Sequence, residues 1–402
     1  MSTASALHGV EGGLPMPRSH WPVHAEDEIA AVTAVLRSGR VNALHHGDEV
    51  RAFEAAFAAL CDQPHAIAMA NGTVTLEVAL RALGIGPGDE VVVTPRSFVA
   101  SASAVVAVGG VPVFADVDPV SQGITAAGIA AVLTARTRAI LPVHLNGWPC
   151  DMSAIMALAD ERGLLVIEDC AQAHGARIAG RPVGSFGDAA SFSFCTDKII
   201  STGGEGGMLV LRDADVHARA WSLKDHGKTL ATPQPPGPAF RWLHADFGSN
   251  HRMTEMQAAI GRRQLGRLPQ MLATRRANAA GLDTALGNLP ALRLTVPDPD
   301  VEHARYKYYA FVRPARLRGG WDRDRIVATA MAEGVPCQSG VCPEIYRERA
   351  FVEAGLVPMR RLPVARKLGE TSIMLPIDPT LSLGDIGRIG DRLAAIVTEA
   401  TL

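Results

Sequence analysis

The run SFSFCTDKIISTGGEGGM (191–208) sets one lysine, Lys198, between the end of a strand-like apolar stretch and a cluster of glycines. Glycine lets backbone come close to a ligand and adopt positive φ, so an amine at this point can meet a flat, carbonyl-bearing molecule. A free lysine amine has a pKa near ~10.4, so chemistry there requires either a lowered pKa or an imine. Taken alone, Lys198 also reads as a solvated surface charge beside a glycine turn. A second run, LLVIEDCAQAHGA (164–176), carries apolar residues into Glu168 and Asp169. Ligands of open parallel sheets bind at the carboxyl ends of the strands. A carboxylate there can hold a ring nitrogen in its protonated form; a helix N-cap is the plainer role for Asp169. Gln172 and His174 follow closely enough to touch the same ligand.

Two further segments carry less specific chemistry. ANGTVTLEVAL (70–80) reads as strand, tight turn and helix, so Gly72 and Thr73 would offer backbone N–H groups and a hydroxyl at a helix N-terminus. That suits a phosphate, although a simple capping turn has the same pattern. In TPRSFVASASA (94–104), Phe98 follows a strand end and could stack on an aromatic ring or join the core. The glycines of GIGPGDE (84–90) precede a strand instead of following one, which is the wrong context for a dinucleotide loop.

These residues need a scaffold. Between about Ala66 and Leu211 the β-rich runs AIAMA, EVVVTP, VPVFADV, RAILPVH and LLVIEDC alternate with helical stretches, one of them Asp151–Arg162. This predicts βαβ units and a mainly parallel sheet with covered faces. AASFSF and GGMLVLRD lie too close together for a helical crossover and predict an antiparallel edge or hairpin. TLATPQPPGPAF (229–240) predicts a loop or lid. A long helix is expected from Thr254, a strand at YKYYAFV, and helices over Arg323–Glu333 and Leu383–Glu399 in a smaller α+β domain. The expected division is an N-terminal segment (1–40), a large domain (41–265) and a small C-terminal domain (266–402).

A chain of 402 residues, 48% hydrophobic and 20% charged, has room for two such domains and a large core. Its net charge of -2 and lack of basic runs argue for small-molecule substrates and against nucleic acid or an anionic membrane. The first twenty residues lack the basic-then-apolar order of a signal peptide, and no apolar run is long enough to span a bilayer. Six cysteines without a C-x-x-C pair favour neither a disulfide framework nor a zinc site, and a reducing cytoplasm is the expected compartment.

Together, NGT, SF, EDCAQAHGA, SFSF…K…GGEGG and SNHRMTEMQAA resemble the DegT/StrS group of sugar aminotransferases, from SGRVNALHHGDEVRAFEAAFA (38–58) to LPIDPTLS (375–382). The resemblance implies the α/β fold of fold-type I pyridoxal 5'-phosphate (PLP) transferases, with a mainly parallel seven-stranded sheet between helices. Lys198 would hold PLP as a Schiff base and shuttle protons. Asp169 would face the pyridine nitrogen, Gln172 the ring hydroxyl and Phe98 the ring face. Gly72, Thr73 and Ser193 would hold the phosphate, and Asn250 would reach it from the neighbouring subunit of a homodimer. The implied reaction moves an amino group from L-glutamate to a nucleotide-linked keto-sugar. A keto-cyclitol acceptor and a non-catalytic regulatory role are the alternatives, the latter opposed by Lys198, Asp169 and Ser193. This sequence departs from the common pattern at Cys195-Thr196-Asp197, where a histidine is frequent, and at Thr75, where alanine is usual. Lys224, His226, Lys228 and Arg252 could meet a diphosphate or be exposed surface charges.

Overall fold

The structure is a computed structural model that describes residues 15–43, 47–229 and 244–402. Its large sheet contains β1 (His65–Met69), β2 (Glu90–Val93), β3 (Val111–Phe114), β4 (Thr137–Leu141), β5 (Leu165–Asp169), β8 (Ala189–Ser193) and β9 (Gly207–Leu211). The short strands β6 (Arg177–Ile178) and β7 (Arg181–Pro182) form a hairpin between β5 and β8. The sheet order is β1-β9-β8-β5-β4-β2-β3. Pairing is parallel from β3 through to β8, and β9 is antiparallel to both β8 and β1. The expected antiparallel pair therefore forms, but not at the sheet edge, because β1 lies outside β9. Strands such as EVVV at β2 are buried at every position, as a sheet covered on both faces requires.

The flanking helices are α1 (Glu26–Ser38), α2 (Asp48–Leu60), α3 (Gly72–Ala82), α4 (Ala100–Ala107), α5 (Ala126–Ala130), α6 (Met152–Arg162) and α7 (Ala214–Lys224). One core joins α3, α4 and α7 to one face of the sheet; another packs Phe53 and Phe57 of α2 against Phe192 and Met208 on the opposite face. The expected helix from Thr254 is α8 (Glu255–Leu286), 32 residues long, with Thr254 and Gln257 forming a capping box. It runs unbroken across position 265. Its Leu268 and Leu272 belong to the core beside α2, whereas Leu282 and Leu286 belong to the C-terminal core. One rigid rod thus serves both halves.

The C-terminal part builds a small antiparallel sheet from β10 (Leu292–Arg293), β12 (Tyr308–Val312) and β13 (Ser372–Leu375), while β11 (Val301–Glu302) pairs with β6. Helices α9 (Arg323–Ala332), α10 (Arg349–Glu353), α11 (Pro363–Thr371) and α12 (Leu383–Ala400) complete it; α9 and α12 lie close to the ranges read from the sequence, and α10 and α11 were not read there. It is fastened to the large sheet by polar bonds. Both Asp116 oxygens, just after β3, accept from the N-terminal N–H groups of α11, Val364 and Ala365, at 2.9 Å. Ile345 N–H donates to Pro95 O at 2.7 Å, and buried Arg96 reaches Ser372 Oγ at 3.0 Å. The six cysteines are free. The proline-rich segment lies, beyond Thr229 and up to residue 240, outside the described residues.

Candidate active site

Alternation along β5 sends its two terminal acids to opposite faces, and they do different things. Glu168 accepts from the backbone N–H groups of Gly184, Phe186 and Gly187 at 2.8–2.9 Å and pairs with His144 Nε2 at 3.0 Å. Cys150 N–H donates to His144 Nδ1, so the ring proton sits on Nε2 and points at Glu168. Burial alone would raise the Glu168 carboxyl, but His144 and these N–H groups hold it low. Its four acceptor positions are filled, so the grouping of His144, Glu168 and Cys170 leaves that carboxylate no lone pair for an ion. Glu168 pins the turn that follows β7 to the sheet.

Asp169, 5% exposed, has no comparable shell. Oδ2 accepts from Ser101 Oγ at 2.8 Å and Oδ1 from Ala171 N–H at 3.1 Å. Burial raises its carboxyl pKa, and Ser101, Ala171 and the charge of Lys198 offset that only in part. Lys198 lies near enough for its charge to act on Asp169, so a strand end and a loop 29 positions later in the chain approach each other. His174 does not join them. It is fully buried with its ring 5.5–6.5 Å from those of Phe57, Phe192 and Phe194, and burial, followed by the Lys198 charge, drives its pKa down to about 3. The expectation that it touches a ligand fails because the turn after β5 buries it within the aromatic core.

Lys198 is 15% exposed at the side chain and lies in a turn closed by its own N–H bonding Cys195 O at 3.0 Å. Its Nζ is 3.3 Å from Asp197 Oδ1 and 5.3 Å from the centre of the Tyr306 ring. Trp21 Nε1 donates to its carbonyl at 2.9 Å. Ser193, at the end of β8, lies against the start of α3: a Cβ on Gly72 would stand 2.7 Å from Ser193 Cβ. Asn71 caps that helix by accepting from Val74 N–H at 3.0 Å, which leaves the N–H groups of Gly72 and Thr73 without an intrahelical acceptor. Thr75, the departure from alanine, bonds Ser191 Oγ at 2.6 Å and so ties the helix to β8.

Phe98 is 63% exposed, so the reading of it as core is excluded. Gln172 Oε1 accepts from Asn146 N–H at 2.7 Å, leaving its NH2 for a ligand. Asn146 in turn holds the backbone of Tyr306 and Lys307. Asn250 is exposed on the segment that bridges to Asp225. Of the four candidate diphosphate contacts, three are not free surface charges: Arg252 pairs with Asp225 at 2.5 Å, Lys228 approaches it at 3.4 Å, and Lys224 is buried, whereas His226 is exposed. Sequence reasoning missed Ser101, Asp197, Asn146, Trp21 and Tyr306. Only Asp197, next to the lysine, had a local signal.

The residues fit PLP. Asp169 is a buried carboxylate with one hydroxyl donor and no cation in contact, a state that a protonated ring nitrogen relieves. The close meeting of Gly72 with Ser193 puts a helix N-terminus and a hydroxyl together, as a phosphate needs.

Comparison with known proteins identifies the family. Residues 22–394 match the DegT/DnrJ/EryC1/StrS aminotransferase family. The chain is 40% identical to the UDP-N-acetyl-3-dehydro-alpha-D-glucosamine 3-aminotransferase of Acidithiobacillus ferrooxidans, covering 85% of this chain and 87% of that one. It is 39% identical to the L-glutamine:2-deoxy-scyllo-inosose aminotransferase of Streptomyces fradiae, over 85% and 82%. Among solved structures, an aminotransferase from Psychrobacter cryohalolentis superposes with a TM-score of 0.92 at 49% identity, over 96% of this chain and all of that one. With the fold, the lysine and the buried aspartate already in place, the match assigns this chain to the DegT/DnrJ/EryC1/StrS family as a PLP-dependent aminotransferase.

Proposed function

We propose that the protein transfers the amino group of L-glutamate to a keto group of a nucleotide-linked sugar. The observation that carries the reading is the approach of Lys198 to buried Asp169, near enough for its charge to act on that carboxyl. When bound, PLP supplies an electron sink for the carbanion beside the transferred nitrogen. Asp169 keeps the ring nitrogen protonated, and Ser101 orients that carboxylate. Lys198 would hold the cofactor through Nζ, and its free amine would serve as the acid–base group for the donor's α-proton. Phe98 would cover one ring face, Gln172 would meet the ring hydroxyl, and Gly72, Thr73 and Ser193 would hold the phosphate. The acceptor class draws support from the relative in Acidithiobacillus ferrooxidans, whose name specifies a UDP-linked amino sugar.

The similarly close Streptomyces fradiae relative, named for an inosose, favours a keto-cyclitol as the second reading. Protein loaded with pyridoxamine 5'-phosphate and presented with UDP- and dTDP-linked keto-sugars and with keto-inositols decides between them by which acceptor restores the PLP absorbance. Lys198→Ala tests the mechanism itself: turnover should fall by at least about a thousandfold, the scale of losing a catalytic base together with covalent attachment. Multiple turnovers at the wild-type rate would refute it.

The assembly we propose is a homodimer in which Asn250 approaches the partner's phosphate site. Support comes from the exposed strip around it, with Phe247 91% exposed. Sedimentation at micromolar concentration should return twice the chain mass. The proposed compartment is the cytoplasm, in keeping with six free thiols.

A further inference from the structure

Asp197 has no part in the roles assigned so far, yet it is the nearest anion to Lys198. The turn that bonds Lys198 N–H to Cys195 O folds the Asp197 side chain back, so Oδ1 stands 3.3 Å from Lys198 Nζ. The other oxygen, Oδ2, accepts from the Tyr306 hydroxyl. Tyr306 is a fixed donor, 6% exposed, with its N–H bonded to Asn146 O at 3.1 Å and its carbonyl accepting from Arg275 Nη1 at 2.9 Å. Lys198 is thus gripped at both ends, its carbonyl by Trp21 and its amine by Asp197.

We propose that Asp197, clamped by Tyr306, is a positioning residue that receives the Lys198 ammonium whenever that amine is not bonded to the cofactor and returns it in line for reattachment. The inference rests on the reading of Lys198 as the cofactor lysine. An exposed ion pair between adjacent residues would ordinarily wander and contribute little. Here the second carboxylate oxygen is tied to a buried tyrosine from a distant segment, which fixes one rotamer. Burial would raise the Asp197 carboxyl, but the charge of Lys198 and the Tyr306 hydroxyl, helped by Lys307, keep it low and the residue ionised. The other titratable groups that feel or share the charge around this amine are Asp169, neutral His174 buried in the aromatic core, and Lys307, whose Nζ lies 5.1 Å from the centre of the same Tyr306 ring. Two amines flank one ring and share one ionised neighbour, so the position of Asp197 selects between them. It favours Lys198, the only one of the two with an ion pair to Asp197 within 4 Å. No net proton transfer to Asp197 is required; it remains a carboxylate while Lys198 gains and loses its proton.

The test is the pH titration of the visible band of the lysine-bound cofactor in the holoenzyme, which needs no substrate and no turnover. Removing a nearby negative charge disfavours the protonated, cationic form. Asp197→Asn should therefore move the midpoint down by about one pH unit, and Tyr306→Phe should move it the same way by less. Asp197→Glu should restore part of the shift. A midpoint unmoved in Asp197→Asn, with cofactor fully bound, overturns the proposal. Should that variant fail to fold or to hold cofactor, an unmoved midpoint in Tyr306→Phe overturns it instead. A wild-type band that persists unchanged in Lys198→Ala would sink the reading of Lys198 itself, and is distinguishable because it appears before any Asp197 variant is made.

Discussion

At the scale of single residues, Asp169 is the group whose state most depends on what is bound. Its carboxyl is pushed up by burial, with the Ser101 hydroxyl as its one side-chain donor. A ring nitrogen needs the ionised form. Without cofactor, the proton is retained to a higher pH than an ordinary carboxyl retains it, so acidification must weaken PLP binding. Affinity should be flat above the raised pKa and fall as pH drops through it, approaching tenfold per pH unit. Equilibrium titration of the apoprotein with PLP across that range checks the sign. Ser101→Ala removes the donor that orients Oδ2 and should weaken PLP binding by about tenfold, the usual scale of one hydrogen bond to a charged group. His174 is the counter-example at this scale. Its type and position suggested ligand contact, and packing made it neutral core.

Among the elements, the start of α3 is the most constrained. Gly72 is needed for close approach, because a Cβ there would meet the Cβ and backbone of Ser193 at 2.7 and 3.2 Å. Gly72→Ala forces the helix away from β8 and moves both halves of the expected phosphate cradle. We expect a loss of PLP affinity of at least about tenfold and a stability cost of about 1–3 kcal/mol from overpacking, measured by cofactor titration and urea unfolding. The N-terminus of α11 is a second such place, capped by Asp116 from the other half of the chain. Asp116→Ala should cost about 1–2 kcal/mol, by the scale of a lost N-cap, with the melting transition of the holoenzyme as readout. The strand and helix ranges behind both features were legible from hydrophobic runs and turn residues. The cap was not, since Asp116 and Val364 are brought together only by the packing of α11 on the end of β3.

For the molecule as a whole, α8 supplies apolar residues to both cores, and α2 packs along its first half. On the side of α2 that meets β1, Glu54 accepts from Ala68 N–H at 2.8 Å, and burial pushes its carboxyl up to about 7. An unfolded glutamate ionises near 4.5, so between 4.5 and 7 the folded chain holds a proton that the unfolded chain has released. Raising the pH through that window therefore favours unfolding, by up to about 3 kcal/mol for this one group. Glu54→Gln should remove that part of the decline, seen as a smaller difference between urea midpoints at pH 5 and pH 8 than in the wild type.

The sequence by itself pointed to the cofactor only through its motifs taken together, because Lys198, Asp169 and Gly72 each have a plainer local reading and it is their combination that resembles the DegT/StrS group. It also determined the alternation of strands and helices, which follows from runs of apolar residues bounded by glycine and proline. Tertiary structure alone decided which side of the sheet each acid serves, since a period of two along β5 separates Glu168 from Asp169 without saying which face holds the pocket. It alone brought Ser101 to Asp169 and Tyr306 to Asp197, pairs 68 and 109 positions apart. Such pairs leave no trace in local pattern, because they depend on register and on how distant elements pack.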